Sequence, residues 1–435
     1  MGKYFGTDGI RGKANAVLSS ELARAVGRSL FILENPRLVI ARDTRESGPM
    51  LVESLTEGAL SVGIDVIDYG ILPTPLLSYL SQLEKSIGIM ITASHNPYED
   101  NGIKVFLSGR KLTPDTESDI EQIIDSSDPQ RKVEHRGKKL RAKDPIVIYR
   151  QLFNQFSLNR QLRIGLDLAH GAATATAPII FSEFSRDFLL IGNAPNGKNI
   201  NDQVGSTHPE ALQNLMKNHP LDIGFAFDGD GDRLLAVDTS GRLFDGDMLL
   251  YIIACDLHQR GLLCQDKVVL TRMSNLGIIK ALKNRGIDTL FTDVGDKYVL
   301  EALETNDLTL GGENSGHIIN RHLLATGDGV LNAMQIVDIV SSTGKSLAQL
   351  TQDVVFYPDK LVNLRGLDQS LARHPKVIDL VREIESQLQG DGKVLVRPSG
   401  TEPLIRISVS APTDAIVDQA ITKIIDMINR ISTDK

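Results

Sequence analysis

Three aspartates occupy alternate positions in the stretch FDGDGDR. In an extended loop, residues at i, i+2 and i+4 project to the same side, so Asp228, Asp230 and Asp232 can converge on one point. Three converging carboxylates repel one another unless a hard cation lies between them, and a site made only of oxygen ligands favours Mg²⁺, Mn²⁺ or Ca²⁺. An EF-hand calcium loop is excluded, because its required glycine and final acid would here be Arg233 and Thr239. The alternative to a metal site is an acidic surface turn.

A second polar cluster, the stretch LVRPSGTEPLIRI, combines guanidinium groups, hydroxyls and a glycine around a tight turn between two strand-like runs. Guanidinium forks and turn N–H groups are good ligands for a phosphate dianion. Pro-Ser-Gly-Thr is also plain turn chemistry, so these residues alone leave both interpretations open. The candidate phosphate ligands are Arg397, Ser399, Gly400, Thr401 and Arg406.

Two glycine-flanked stretches and one further lysine complete the polar candidates. GGENSGH offers Glu313, Ser315 and His317, whose side chains suit the hydroxyls and amines of a sugar but equally suit a surface loop. GTDGIRG offers Arg11 beside glycines, which is compatible with contact to an oxyanion, and DVGDK adds Lys297 after another strand-like run. Each of these signals is weak alone.

The elements that must position these residues are short β-rich runs that end in a polar residue and alternate with helix-length segments. In layered α/β sheets, ligands bind beyond the carboxyl ends of the strands, which is where the polar clusters fall. One run ends in TASHNP, where Ser-His-Asn-Pro would serve as ordinary turn chemistry. The last seventy-odd residues predict a small separate unit. The predicted strand ends are Asp43, Ser94, Asp167 and Asp228; the predicted helices are 20–34, 209–219, 376–389 and 412–431; the predicted terminal strands are 393–396 and 404–410.

Composition excludes several classes of protein. The chain has 435 residues, 41% of them hydrophobic and 23% charged, with a formal net charge of -8. The absence of a basic excess argues against a general nucleic-acid or anionic-membrane binder, and any phosphate must meet local cations. The N-terminal stretch lacks the apolar segment of a secretory signal, and no later apolar run is long enough to cross a bilayer. We therefore expect a cytoplasmic protein with neither a nucleic-acid nor a membrane partner.

The motif order GTDGIRG, TASHNP, DGDGDR, GGENSGH, RPSGTEP resembles that of the α-D-phosphohexomutase superfamily, and the motifs span nearly the whole chain. The resemblance implies three similar α/β domains with mixed sheets, then a small C-terminal α+β domain, with the active site in a central cleft. GTDGIRG and APNGKNINDQVGSTHPE are most similar to the bacterial members that act on glucosamine phosphates. The predicted domains are 1–145 with the phosphoserine loop, 146–248 with the metal loop, 249–359 with the sugar-recognition loop, and 360–435 with the phosphate-binding turn.

By this resemblance Ser94 is a phosphoryl carrier rather than a turn residue. A phosphoserine would give its phosphate to glucosamine-6-phosphate, and the bisphosphate would turn around and return its other phosphate, leaving glucosamine-1-phosphate for UDP-N-acetylglucosamine and peptidoglycan synthesis. The implied cofactors are one Mg²⁺ and a sugar bisphosphate as activator. The implied metal ligands are Ser94, Asp228, Asp230 and Asp232. A hydrolase nucleophile is less plausible, because no G-x-S-x-G elbow surrounds Ser94.

The alternatives are phosphomannomutase or phosphoglucomutase activity on the same fold, a metal-dependent phosphatase, and a non-catalytic sugar-phosphate sensor. The metal triplet and a candidate base count against a sensor, which needs neither. Substrate comparison would separate the mutases, and release of free phosphate would mark the phosphatase.

The resemblance also implies roles around the transferred phosphate. Lys104 is the candidate general base, which requires that burial or nearby cations lower its pKa. Arg11 assists Lys104, His95 orients the phosphoserine or donates a proton, and Arg233 supports the metal loop.

Sugar recognition falls to the GGENSGH loop and its neighbours. Glu313 and Ser315 would bind sugar hydroxyls, His317 and Lys297 complete the set, and Glu313 could pair with an amino-sugar ammonium. Two departures from the family pattern concern sugar preference: Asn314 replaces a common glutamine, and Lys297 replaces a common arginine. Residues 397–406 would hold the remote phosphate on a domain able to close over the site, and a homodimer is expected from the family only.

Overall fold

The structure is a computed structural model that describes residues 2–6, 8–126, 135–399 and 404–433. Clustering of the chain gives two compact units. The first unit contains the chain up to Arg272 together with Leu290–Thr351, and the second contains Met273–Thr289 and the chain from Gln352 onward.

The N-terminal part of the first unit is built on an eight-stranded mixed sheet with the order β1-β2-β6-β5-β3-β4-β8, in which β7 pairs with β6. Every residue of β5 is buried, as expected for the apolar run IGIMI in the middle of a sheet. The strands are β1 Phe5–Gly6, β2 Gly9–Lys13, β3 Arg37–Arg42, β4 Asp65–Ile71, β5 Ile87–Ile91, β6 Asp100–Leu107, β7 Arg110–Lys111 and β8 Lys139–Leu140. The helices are α1 Ser20–Ser29, α2 Gly48–Ser61, α3 Thr74–Leu83, α4 Pro114–Asp125 and α5 Pro145–Arg150.

Antiparallel pairing in this sheet decides which side chains meet at its edge. β6 runs antiparallel to β5 with Lys104 opposite Met90, and antiparallel to β2 with Gly102 opposite Arg11. Lys104 therefore lies beside the end of β5. Its partner on that strand, Met90, precedes Ser94 by four residues.

The next sheet has five strands in the order β10-β9-β11-β12-β13. β9, β10 and β11 are parallel, whereas β11 and β12 form an antiparallel hairpin. The elements are β9 Arg163–Asp167, β10 Asp187–Ile191, β11 Ile223–Phe227, β12 Leu234–Val237, β13 Leu243–Phe244, α6 Ala177–Phe184, α7 Glu210–Asn218 and α8 Gly246–Gln259.

The third sheet has four strands in the order β15-β14-β16-β17, and β16 and β17 form an antiparallel hairpin. Its strands are β14 Lys267–Thr271, β15 Asp288–Thr292, β16 Leu310–Gly312 and β17 Ile318–Asn320. The helices in this part of the chain are α9 Leu276–Asn284, α10 Asp296–Thr305, α11 Gly329–Thr343 and α12 Leu347–Leu350.

The second unit holds a three-stranded antiparallel sheet with the order β18-β20-β19, and apolar residues of β20 and of the last helix form its core. Its elements are β18 Asp359–Arg365, α13 Pro375–Leu388, β19 Lys393–Pro398, β20 Leu404–Ser410 and α14 Asp414–Thr433. Short 3-10 helices lie at Leu30–Leu33, Gln151–Phe153, Ala172–Ala175, Cys264–Asp266 and Gln369–Arg373.

The predicted alternation of strands and helices is confirmed. The strands predicted to end at Asp43, Asp167 and Asp228 end within one residue of them, whereas β5 ends at Ile91, three residues before Ser94, because the chain turns there. The predicted helix at 20–34 is shorter, because α1 ends at Ser29 and continues as the 3-10 helix before the turn at Glu34, whose φ is positive. In the part of the chain that the structure describes, we find no helix with both the length and the apolar character needed to cross a membrane.

Candidate active site

The turn between β11 and β12 carries the three predicted metal ligands. Asp228 and Asp230 are fully buried and Asp232 is 6% exposed, and one carboxylate oxygen from each lies within 4.8 Å of the other two. The turn requires glycine, because a Cβ on Gly229 would lie 2.5 Å from the carbonyl oxygen of Ser94. The predicted convergence of the three aspartates is confirmed.

The chemistry of this donor set fits a hard cation. Oδ1 of Asp230 and Oδ1 of Asp232 are buried and have no hydrogen-bond partner among the described residues. Burial, and then the charges of Asp232 and Asp230, raise the pKa of Asp228 well above its ordinary value. Buried, unpaired carboxylate oxygens that repel one another are the ligands that Mg²⁺ or a similar ion would satisfy.

Ser94 lies directly beside this cluster. Its hydroxyl donates a hydrogen bond of 2.6 Å to Oδ2 of Asp228, and the residue is 2% exposed. Its φ of 53° is left-handed, a conformation that costs a residue other than glycine roughly 1 to 3 kcal/mol. The surrounding structure must therefore hold the Ser94 backbone in place.

A buried arginine that the sequence analysis missed provides that support. Arg45 is fully buried, and its guanidinium donates to the carbonyl oxygens of Ser94 at 2.8 Å, Asn96 at 2.9 Å and Asp100 at 3.0 Å. Its Nε lies 2.9 Å from Oδ2 of Asp43, immediately after β3. The available signal was the stretch ARDTR, in which an arginine follows a polar strand end by two residues.

Asn201, in the stretch APNGKNINDQV, supports the same loop from the segment between β10 and α7. Its Nδ2 donates to the carbonyl oxygens of Ser94 at 2.9 Å and Asn96 at 3.1 Å. The sequence analysis used this stretch only for family resemblance, so this contact was also missed.

Lys104 is surrounded by carboxylates. Its Nζ lies 2.9 Å from Oδ2 of Asp230, 3.1 Å from Oδ2 of Asp8 and 3.5 Å from Oδ2 of Asp232. Burial acts to lower the pKa of Lys104, but these three carboxylates together raise it well above its ordinary value. The lowered pKa expected for a general base is therefore not found, and Lys104 is an ammonium in this structure. Arg11 reaches it through Asp8, whose Oδ2 is 2.6 Å from Nη2 of Arg11.

His95 and Arg233 flank Ser94 and the metal loop. Nδ1 of His95 lies 3.3 Å from Oγ of Ser94, and burial, followed by the charges of Arg233 and Arg11, lowers the pKa of His95 to about 4. His95 is thus neutral at neutral pH and can orient a phosphoserine by one hydrogen bond. The backbone N–H of Arg233 donates to Oδ1 of Asp228 at 3.2 Å, and the role of its side chain in the metal loop stays a prediction.

The predicted sugar-recognition loop connects β16 and β17 and reaches the metal loop. The carbonyl oxygen of Gly316 accepts a hydrogen bond of 3.0 Å from the backbone N–H of Leu234. Nδ1 of His317 lies 3.7 Å from Oδ2 of Asp232. The N–H of Gly327 donates to Nε2 of His317 at 3.2 Å, which would place the proton of a neutral ring on Nδ1, facing Asp232. Burial acts to lower the pKa of His317, but Asp232 and Asp296 raise it to about 8, which favours the charged ring at neutral pH.

Other residues of this loop differ in their availability. Oγ of Ser315 is buried and has no hydrogen-bond partner in the described ranges, which leaves it able to bind a hydroxyl. Oε1 of Glu313 accepts a hydrogen bond of 2.9 Å from the N–H of Gly295. Asn314 is exposed. Lys297 lies outside this loop, on α10, and its ammonium is 4.9 Å from the centre of the Tyr298 ring.

The predicted phosphate-binding turn belongs to the second unit. Arg397 and Arg406 are directly opposite on β19 and β20, and the N–H of Ser399 donates to the carbonyl oxygen of Leu404 at 2.9 Å. Two guanidinium groups on neighbouring strands are compatible with the predicted phosphate role, which stays a prediction. The other two candidates, Gly400 and Thr401, lie outside the described residues.

Comparison with protein families matches the chain to four successive models of phosphoglucomutase/phosphomannomutase. Alpha/beta/alpha domain I matches residues 2–131, domain II matches 149–241, domain III matches 245–356, and the C-terminal domain matches 361–427. The predicted four-part α/β architecture is confirmed by these matches.

Similar proteins agree with this result. The chain is 45% identical over 443 aligned positions to the phosphoglucosamine mutases of Streptococcus agalactiae and Streptococcus pyogenes, covering 98% of this chain and of each relative. A phosphoglucomutase/phosphomannomutase family protein from Burkholderia thailandensis has the same fold, with a TM-score of 0.82 at 23% identity, 98% of this chain and 97% of that chain being covered.

A more distant structure, N-acetylphosphoglucosamine mutase of Aspergillus fumigatus in complex with GlcNAc-6P and magnesium, shares the fold with a TM-score of 0.65 at 17% identity, covering 99% of this chain and 95% of that one. With its four domain matches and its full-length relatives, the chain belongs to the phosphoglucomutase/phosphomannomutase family, the α-D-phosphohexomutases that its five motifs resemble.

Proposed function

We propose that this chain is a phosphoglucosamine mutase, which interconverts glucosamine-6-phosphate and glucosamine-1-phosphate through a phosphoserine and a sugar bisphosphate. The relatives that are 45% identical over nearly their full length carry that name. The single observation that supports the chemistry best is the 2.6 Å hydrogen bond from the Ser94 hydroxyl to Asp228, within a buried carboxylate cluster.

In the proposed reaction, a hydroxyl oxygen of the sugar forms a bond to phosphorus while the bond from phosphorus to Oγ of Ser94 breaks. The proton of that hydroxyl passes to a base, and the Ser94 oxygen leaves as the alkoxide that the second transfer rephosphorylates. Asp228, Asp230 and Asp232 would hold Mg²⁺, with an oxygen on Ser94 as a further ligand. The ion supplies positive charge beside the transferred phosphoryl group.

In this proposal, the main contribution of Lys104 is its positive charge, and a role as general base is secondary. Its ammonium is fixed by Asp8 and Asp230 within a few ångströms of the metal loop, where it can neutralise phosphate oxygens. A role as general base requires that ligand binding withdraw these carboxylates from Lys104, because their charges keep its pKa high.

The sugar would be held by the loop that contains Glu313 and Ser315. The unpaired, buried Oγ of Ser315 suits a sugar hydroxyl, and the carboxylate of Glu313 suits the ammonium of an amino sugar. Arg397 and Arg406, opposite each other on their hairpin, are proposed to bind a phosphate group. A homodimer, a cytoplasmic location and activation by a sugar bisphosphate stay predictions.

The test is a substrate comparison with protein that is already phosphorylated at Ser94. We expect kcat/KM to be highest for glucosamine-6-phosphate, and lower for glucose-6-phosphate and mannose-6-phosphate. Ser94→Ala should abolish interconversion and keep Mg²⁺ binding, and retained activity in this variant would exclude the mechanism. Glu313→Gln should reduce the preference for the amino sugar by about tenfold, since it removes the charge proposed to face the ammonium.

Two other outcomes would redirect the assignment. A preference for mannose-6-phosphate or glucose-6-phosphate would keep the transfer mechanism and change the substrate. Release of free phosphate faster than isomerisation would indicate a phosphatase instead.

A further inference from the structure

Charged side chains of alternating sign form a continuous row from the metal loop to the start of α10. In this ion-pair chain, Nζ of Lys104 lies 3.5 Å from Asp232 and 3.1 Å from Oδ2 of Asp8. Nζ of Lys111 then lies 2.6 Å from Oδ1 of Asp8 and 2.5 Å from Oδ2 of Asp296. The row thus passes through residues matched to domains II, I and III of the family.

Lys111 is the member that joins domains I and III. It lies on β7, and its side chain is 26% exposed, with Asp8 and Asp296 at 23% and 22%. Burial acts to lower the pKa of Lys111, but Asp296 and Asp8 raise it, so the side chain is charged. Without this ammonium, two partly buried carboxylates would face each other across the domain boundary and repel.

Asp296 connects this row to the sugar-recognition loop. It is the first residue of α10 and follows Gly295, whose N–H donates to Oε1 of Glu313 at 2.9 Å. A short path therefore links the Asp8 carboxylate, which contacts Lys104, to the loop proposed to hold the sugar. It runs through the ion pairs of Lys111 with Asp8 and Asp296, and then through the hydrogen bond from Gly295 to Glu313.

We propose that Lys111 is a positioning residue that sets the distance between the sugar-recognition loop and the phosphoryl-transfer groups around Ser94. The expected effect of Lys111 on kcat rests on the proposed function. Its effect on the position of the sugar-recognition loop does not. A shift of the sugar relative to Ser94 would slow transfer more than binding, because reaction needs the two oxygens aligned closely around phosphorus.

The test compares three variants with wild type. Lys111→Met removes the charge and keeps most of the side-chain length, Lys111→Arg keeps the charge, and Asp296→Asn weakens the same pair from the other side. The control is Lys139→Met, because Lys139 is an exposed lysine whose pair with the exposed Glu53, at 3.0 Å, lies at the surface. All variants are assayed as phosphorylated full-length protein with glucosamine-6-phosphate and Mg²⁺.

We expect Lys111→Met to lower kcat/KM about tenfold, mainly through kcat, and Lys111→Arg to stay within about threefold of wild type. The double variant Lys111→Met/Asp296→Asn should lose clearly less than the product of the two single losses, because both substitutions remove the pair between Lys111 and Asp296. The residual difference comes from the separate contacts of Lys111 with Asp8 and of Asp296 with His317. A Lys111→Met enzyme with wild-type kcat/KM, or losses that multiply in the double variant, would overturn the proposal.

A second readout needs no substrate. Amide hydrogen exchange of residues 295–299 should be faster in Lys111→Met than in wild type, and unchanged in Lys139→Met. Equal exchange in Lys111→Met and wild type would overturn the positioning role. Absence of mutase activity in wild type would instead refute the proposed function, and the exchange result would still decide whether Lys111 fixes this boundary.

Discussion

Nζ of Lys104 lies 2.9 Å from Oδ2 of Asp230, one of the three carboxylates that would bind a cation. It also lies 3.5 Å from Oδ2 of Asp232. A bound Mg²⁺ and the ammonium would therefore share two carboxylates, and each positive group weakens the binding of the other. In the proposed reaction, this arrangement would give the transferred phosphoryl group two cations at the expense of metal affinity.

Lys104→Met should therefore have opposite effects on metal binding and on turnover. Removal of the neighbouring ammonium should tighten Mg²⁺ binding by about tenfold, while loss of the group that meets the phosphate or its proton should lower kcat by about 100-fold or more. Calorimetric titration with Mg²⁺ and steady-state kinetics measure the two effects. Weaker Mg²⁺ binding in the variant would contradict the shared-carboxylate geometry.

Asp228→Asn should separate the stability of the metal loop from its ability to bind metal. Burial and the charges of Asp232 and Asp230 raise the pKa of Asp228, so neutralising it should raise the Tm of the metal-free protein. Mg²⁺ affinity should fall by about 100-fold or more. Wild type should gain about 2.7 kcal/mol of unfolding free energy when Mg²⁺ is 100-fold above its Kd, and this gain should be absent from the variant at the same concentration.

The result that would count against this prediction is a lower Tm in metal-free Asp228→Asn than in wild type. The asparagine keeps an oxygen to accept the Ser94 hydroxyl, while its amide nitrogen replaces the oxygen that accepts the N–H of Arg233 at 3.2 Å. We expect the relief of carboxylate repulsion to exceed the loss of this one long hydrogen bond.

Much of the site could be predicted from the sequence, because its chemistry lies in short motifs. The alternation of aspartate and glycine at 228–232 predicted converging carboxylates, and the apolar run before TASHNP predicted that Ser94 ends a buried strand. Both are local properties of the chain. The family resemblance then placed the motifs in one site, which spacing alone did not.

Interactions between distant segments could not be predicted in the same way. Lys104 was expected to have a lowered pKa, but the three carboxylates that raise it come from two other stretches of the chain. Arg45 and Asn201 support Ser94 through its carbonyl oxygen, a contact that no side-chain motif encodes. The pairing of Lys111 with Asp296 depends on the meeting of β7 and α10, which pattern and propensity do not specify.

Asp167 predicts a pH dependence of stability. Burial raises the pKa of this fully buried carboxyl to about 6, although the N–H groups of Gly205 and Ala169 lower it in part. A raised pKa in the folded state means that the contribution is fully present below the unfolded pKa, near 4, and is lost as pH rises through about 6. The loss amounts to about 3 kcal/mol.

Asp167→Asn should not lose this contribution, because its amide stays neutral at every pH. Urea unfolding of metal-free protein at pH 4, 5, 6 and 7 should show a decline in wild type that is smaller in the variant. Parallel curves for the two proteins would mean that Asp167 ionises in the folded state as easily as in the unfolded chain.

Arg45 should be essential for stability and for the placement of Ser94, because it is fully buried and pairs with the fully buried Asp43. Arg45→Met would leave that carboxylate without its cation and should cost about 3 to 5 kcal/mol of unfolding free energy. Arg45→Lys keeps the charge but has no planar fork to reach several carbonyl oxygens, so it should fold with a smaller loss and a lower kcat.

Arg24→Met is the matched control, because Arg24 pairs with Glu57 at 2.7 Å with both side chains about 40% exposed. Its loss should cost less than about 1 kcal/mol. Urea unfolding and single-turnover transfer from phosphorylated Ser94 measure the two consequences for each variant. Wild-type kcat in a destabilised Arg45→Lys would mean that Arg45 contributes only to stability. A lower transfer rate under conditions in which the variant is fully folded would instead show that the position of the Ser94 backbone affects phosphoryl transfer.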